Sequence, residues 1–204
     1  MVFSDLETAL VTARECHLCQ HWLANGPHPI IQASTDSRVL IIGQAPGRRV
    51  HESGLPFNDP SGDRLREWLG VTREQFYQPD LFAIMPMGFC YPGKGKSGDL
   101  PPARICAPVW HQAIKAHLPN VAVTLLIGQY AQQYYLANKP KTLTETVKQW
   151  QQWAPHAFSL PHPSPRNTRW LRRNPWFEEQ VVPAMRHRVQ QALRDAPRCK
   201  GRLK

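Results

Sequence analysis

With 204 residues the chain is long enough for one well-packed domain and short for two. Its 42% apolar content is enough to build a sizeable core, yet no run approaches the roughly 20 apolar residues of a membrane-spanning helix, which excludes that class. Lys and Arg outnumber Asp and Glu by 25 to 15, a net +10, which points to a polyanionic partner because such cations displace the counterions condensed on phosphates; a generically basic surface is the plain alternative.

In chain order, the first helix is predicted over Ser4 to Arg14, with Leu6, Ala9, Leu10 and Ala13 at helical spacing. Asp5 and Glu7 within that pattern argue against a signal peptide, so a reducing, cytoplasmic setting is expected. Five cysteines in such a setting read as metal ligands, reactive groups or buried apolar residues rather than disulfides. A loop rich in Gly, Pro and His runs from Asn25 to Ser37. Val39 to Ile42 is a continuous apolar run, as expected of a strand buried on both faces, and similar runs recur at Leu81 to Met87, Val121 to Ile127 and, more weakly, Ala157 to Leu160. Helical patterns lie between and around them, at Gly62 to Leu69, Ala103 to Leu118, Gln129 to Leu136 and Leu143 to Trp153. A last helix is predicted from Pro175 to Leu193, kinked or divided at Pro183.

Strands alternating with helices predict a three-layer α/β/α fold around a mainly parallel four-stranded sheet. One domain is expected over residues 1–195, followed by a basic tail at 196–204 that holds Cys199. Ligands of such sheets sit at the carboxyl ends of the strands. That draws attention to the loop Gly43 to Phe57 after the first strand and to His162 to Asn167 after the last.

The first loop reads Gly43-Gln44-Ala45-Pro46-Gly47, then Gly54-Leu55-Pro56-Phe57. Small residues after a buried strand let backbone approach a ligand closely, a weak signal by itself. The second reads His162-Pro163-Ser164-Pro165-Arg166-Asn167. Its prolines would serve any structural turn, but the concentration of donors between them is more than a turn needs.

Together these two loops resemble the uracil-DNA glycosylase superfamily. The first is most similar to the bacterial and archaeal iron–sulfur (family 4-like) branch, and the His-Pro-Ser-Pro-Arg-Asn string to the single-strand-selective type. The resemblance implies an enzyme that flips a nucleotide out of DNA, at a cost of roughly a few kcal/mol, and hydrolyses the bond between base and sugar. By that resemblance His162 stabilises the departing base as it gains negative charge. Phe57 stacks on the flipped base, with Ala45, Pro46, Asn58 and Met87 around it. Arg166 and Asn167 enter or line the minor groove, aided by Ser164, Pro165 and Arg169, and Lys94 and Lys96 form a phosphate-contacting loop. Each has a plain rival: Phe57 as a core aromatic, His162 as a brace for its turn.

The chain departs from the branch in two places. Gln44 stands where the branch carries Glu, and Val50 and His51 replace a Glu-Asp pair. Gln44 is a catalytic candidate as an amide that positions a water or hydrogen-bonds a base, but it cannot act as a general base. His51 is the candidate for part of that water-activating role, with a solvated loop histidine as its plain alternative. The uracil-reading Asn is absent from Ile84-Met85-Pro86-Met87-Gly88-Phe89, and losing a hydrogen-bonding side chain loosens the choice of base. Asn58, or backbone around Pro86 and Met87, is the candidate substitute.

Cys16 and Cys19 form a C-x-x-C pair, and Cys90 and Cys106 follow. A lone pair of this kind fits a redox motif, a zinc half-site or coincidence. Four thiolates suit zinc or an iron–sulfur cluster, and spacing does not choose between them. The resemblance implies a [4Fe–4S] cluster, with zinc or no metal as the alternatives. The expectation is thus a monomeric, monofunctional DNA glycosylase acting on a deaminated base, uracil first. Its rivals are a glycosylase for hypoxanthine or xanthine, an inactive DNA-binding homologue, and a nucleotide hydrolase that does not act on DNA.

Overall fold

The computed structural model describes residues 1–195; the basic tail, with Cys199, lies outside the described residues. Helix α1 (Leu6–Arg14) starts where Asp5 caps it, its carboxylate accepting from the Thr8 N–H at 2.8 Å. Four strands then form one sheet in the order β2-β1-β5-β6, made of β1 (Val39–Ile42), β2 (Phe82–Ile84), β5 (Val123–Ile127) and β6 (Ala157–Leu160). Every pairing in it is parallel, with Val39 opposite both Phe82 and Val123 and Leu125 opposite Phe158.

The continuous apolar runs follow from coverage on both faces. Side chains alternate across a strand, so Val39 and Ile41 face one way, against α3 (Pro60–Leu69) and α9 (Val182–Arg194). Leu40 and Ile42 face the other, against α1, α5 (Cys106–Lys115) and α6 (Gln129–Tyr135). The first core holds Trp68, Phe76, Phe158, Phe177 and Met185, the second Phe89, Trp110 and Ile114. The three-layer α/β/α architecture with its parallel four-stranded sheet is as the sequence predicts.

Differences lie at the ends of elements. The strand predicted at Leu81 to Met87 closes at Ile84, because the chain leaves the sheet to meet the loop after β1: the Met87 and Gly88 amides donate to the Gly43 and Gln44 carbonyls at 2.9 and 3.0 Å. The helix predicted over Leu143 to Trp153 divides into α7 (Leu143–Lys148) and a 3₁₀ turn, Trp150–Gln152. At the C-terminal end a π turn, Phe177–Val181, runs directly into α9, and Pro183 is the second residue of α9, next to that turn. The short helices α2 (Arg48–Ser53), α4 (Arg73–Phe76) and α8 (Thr168–Arg173) carry too few residues to show a period. A two-stranded hairpin, β3 (Lys94–Gly95) and β4 (Gly98–Asp99), arises where the sequence shows only a glycine-rich loop.

Candidate active site

Phe57 is placed by two glycines. It adopts left-handed backbone, φ 54°, an uncommon state for an aromatic residue that the surroundings must impose. Its ring lies on Gly43, where a Cβ would stand 3.2 Å from the ring tip, and a Cβ on Gly62 would overlap its carbonyl. The Phe76 ring stands perpendicular to it with centroids 6.1 Å apart, and the Arg66 guanidinium donates to the Phe57 carbonyl at 3.4 Å. Two residues on, Asp59 caps α3 by accepting from the Gly62 N–H at 2.9 Å.

His162 follows β6. Its Nδ1 accepts from the Ser164 N–H at 3.2 Å, so the neutral ring carries its proton on Nε2. Burial lowers its pKa, while the nearby carboxylates of Asp59 and Asp99 pull the other way. The imidazole is therefore neutral at neutral pH. The loop around it is tied from two sides. The Asn167 side-chain amide donates to the His162 carbonyl at 2.8 Å, and the Arg64 guanidinium, from α3, donates to the Pro163 and Ser164 carbonyls at 3.3 and 3.1 Å.

These groups meet in a cavity of about 460 Å³ at the carboxyl ends of β1 and β6, within the usual size of a small-ligand site. Of the sequence candidates, Gln44, Ala45, Pro46, Phe57, His162, Ser164, Arg166 and Asn167 line it. Arg166 reaches across the mouth, its guanidinium donating to the Ser97 carbonyl of the β3–β4 hairpin at 3.2 Å.

The other candidates lie off the cavity wall. Helix α2 turns Val50 inward and sends His51 against His28 (ring centroids 5.2 Å apart) and Tyr91 (5.9 Å), where its Nδ1 is buried without a partner among the described residues. Burial, then the adjacent His28, lowers the His51 pKa. The Asn58 side chain accepts from Arg73 at 2.9 Å, and Met87 is buried in the second core while Pro86 lines the cavity. Pro165, Arg169, Lys94 and Lys96 are exposed. Sequence reading missed Asp59, Asp99 and Arg64, whereas Pro86, one of the backbone candidates, does line the cavity. An Asp before a proline-led helix is a cap signal that would have found Asp59; four strand residues in a glycine-rich stretch give no such signal for Asp99.

Residues 31–186 match the family model of the uracil DNA glycosylase superfamily, well over half of the chain.

The chain belongs to that superfamily.

It is similar to the type-4 uracil-DNA glycosylase of Saccharolobus solfataricus, 24% identical over 134 residues, which are 64% of this chain and 58% of that protein. The type-4 uracil-DNA glycosylase of Sulfurisphaera tokodaii is 21% identical over 137 residues, 65% of this chain and 59% of that protein. The chain thus matches less than two thirds of the length of these curated relatives.

Superfamily membership does not bring the expected cluster with it. Cys16, Cys19, Cys90 and Cys106 do line one small, mainly apolar pocket, together with Leu23, Phe89 and Trp110. Among the described residues, however, no group of three or more Cys, His, Asp or Glu side chains is arranged to hold a metal ion. This overturns the [4Fe–4S] cluster, and zinc with it. Burial pushes the Cys90 thiol up to about 11 and the Cys106 thiol to about 12, and raises that of Cys19. The Cys106 sulfur instead accepts from the Phe89 N–H at 3.3 Å. Cys16 and Cys106 pack against the second core as small apolar side chains. Among the described residues no helix is long and apolar enough to cross a membrane.

Proposed function

We propose that this protein is a DNA glycosylase that hydrolyses the N-glycosidic bond of a flipped, deaminated base, uracil first, and leaves an abasic site. The observation that carries this reading is the tautomer of His162. With Nδ1 occupied by the Ser164 N–H, a neutral imidazole offers Nε2–H to a cavity that also holds Phe57. As the glycosidic bond breaks, the base oxygen gains charge and that donor strengthens, stabilising the transition state more than the ground state. Phe57, held by Gly43 and Gly62, gives the base a face to stack on, worth about 1–3 kcal/mol. Arg166 and Asn167 at the mouth, with the exposed Arg169, Lys94 and Lys96, meet the phosphates. Low identity to the type-4 enzymes and the lack of an Asn after β2 leave hypoxanthine and xanthine as rival substrates.

A second reading is favoured by Gln44: the turn after β1 carries no carboxylate, as in a homologue that binds DNA without turnover. Both are tested by excision from labelled oligonucleotides containing uracil, hypoxanthine, xanthine or mismatched thymine, in single and double strands, with alkali to reveal abasic sites. The expected outcome is base release, slowed about 10²–10³-fold by His162→Ala. Tight binding with every oligonucleotide intact would establish the second reading instead.

A further inference from the structure

Among the described residues two carboxylates line the cavity, and they are not equivalent. Asp59 is committed to its helix, with Oδ1 accepting from the Gly62 N–H at 2.9 Å. Asp99, at the end of the β3–β4 hairpin, holds among the described residues no more than a long contact from the Tyr91 hydroxyl at 3.5 Å. Its other oxygen lies over the turn after β1, 3.6 Å from where a Cβ on Gly47 would stand. Both Asp99 and Gln44 line the cavity, and Asp99 is close enough to His162 to act on its charge.

The hairpin that delivers Asp99 is fixed on both sides. Lys94 pairs with Asp99 in the antiparallel ladder, and the Leu100 N–H donates to the Gly93 carbonyl at 2.9 Å. Arg166 holds the Ser97 carbonyl at 3.2 Å, against a glycine, Gly98, where a Cβ would run into the guanidinium.

We propose that Asp99 is a catalytic residue: from the hairpin, it supplies the carboxylate that the turn carrying Gln44 lacks, and it holds and deprotonates the attacking water. This rests on the glycosylase reading above. In the step, the C1′–N bond breaks and its electron pair leaves with the base, whose oxygen accepts a hydrogen bond from His162 Nε2–H. The water oxygen bonds to C1′ and its proton passes to the Asp99 carboxylate. Asp99 then releases that proton to solvent, from which the base anion takes one. The products are the free base and a hydroxyl on C1′. The same negative charge stabilises the sugar while it is cationic, a role that an amide at position 44 cannot fill.

The test is single-turnover excision by the full chain on whichever oligonucleotide the wild type cleaves, with Asp99→Asn and Asp99→Ala, alongside DNA affinity by fluorescence anisotropy. The expected result is a rate about 10²-fold or more lower for Asp99→Asn, with affinity for the same DNA retained. Formate added to Asp99→Ala restores part of the rate, because a small carboxylate can occupy the vacated space. A rate within about threefold of wild type overturns the proposal. So does a slow variant whose DNA affinity falls in step and which formate does not rescue, since that marks a structural role for the hairpin. If the wild type itself releases no base from any oligonucleotide, the glycosylase reading falls and the role of Asp99 with it, an outcome distinct from the failure of Asp99 alone.

Discussion

Gly62 shows how much of the site rests on a single missing atom. Helix α3 approaches Phe57 so closely that any Cβ at position 62 would overlap the Phe57 carbonyl. Backbone cannot swing aside as the end of a long side chain can, so Gly62→Ala must displace either Phe57 or the first turn of α3. We expect it to lower stability by about 1–3 kcal/mol, as overpacking does, and to slow excision by about tenfold or more through lost stacking. Denaturant unfolding alongside the excision assay would check both. Gly26 is the matching control. It has φ 75° but nothing within 4 Å of a Cβ, so Gly26→Ala introduces backbone strain of about 1 kcal/mol and leaves the cavity untouched. At this same scale the sequence was informative about residue types and silent about partners. Phe57 and His162 were legible because their motifs are contiguous. Asp59 and Asp99 were not recognised, because each reaches the cavity from outside those two loops.

Between elements, His111 links three segments at the back of the site. Lying on α5 and 1% exposed, it donates from Nε2 to the Pro86 carbonyl at 3.0 Å and accepts at Nδ1 from the Tyr135 hydroxyl of α6 at 2.7 Å. Pro86 lines the cavity, so this buried chain of bonds positions one wall of it. Burial brings the His111 pKa from 6.5 down to about 4, with the nearby Lys115 charge adding to the effect and the Pro86 carbonyl opposing it. The sign of the consequence follows: the unfolded chain binds the proton first, so the contribution is intact above about pH 6.5 and is lost as pH falls towards 4. At about 1.4 kcal/mol per pKa unit the loss approaches 3 kcal/mol. Stability measured by urea unfolding from pH 7 to 4 should fall accordingly. His111→Gln should be less stable at pH 7 but flatter across that window. Element boundaries were the least legible part of the sequence for a related reason. Hydrophobic period reports which face is buried, whereas β2 ends at Ile84 because the Met87 and Gly88 amides bond to the loop after β1.

For the molecule as a whole, a net charge of +10 is a property of the surface, and its consequence is long-range. Arg166, Arg169, Lys94 and Lys96 are all exposed and come from two segments, the β3–β4 hairpin and the start of α8 with the turn before it, which Arg166 joins through the Ser97 carbonyl. If each neutralises one phosphate, the logarithm of DNA affinity falls with the logarithm of salt at a slope of roughly −3.6. A fluorescence titration across salt concentrations would measure it, and a slope near zero would exclude these four as phosphate contacts. The cysteines show the opposite relation between sequence and structure. Their order and spacing suggested a ligand set, but whether four thiols ligate depends on mutual geometry, which spacing does not encode. In the fold they line an apolar pocket without forming a metal-holding group, and burial keeps Cys90 and Cys106 protonated.

By itself the sequence determined the layering of this protein, because four apolar runs separated by amphipathic helices have few ways to bury both faces of a parallel sheet. It also determined the two loops at the sheet's carboxyl edge, since each is a continuous motif on a known element. The tertiary structure alone decided the rest: the tautomer of His162, set by a backbone amide two residues on; the inward turn of Val50 rather than His51; and the arrival of Asp99 from a hairpin beyond β2. These depend on contacts between segments far apart in the chain, and a local pattern of residues carries no record of which distant group will stand opposite.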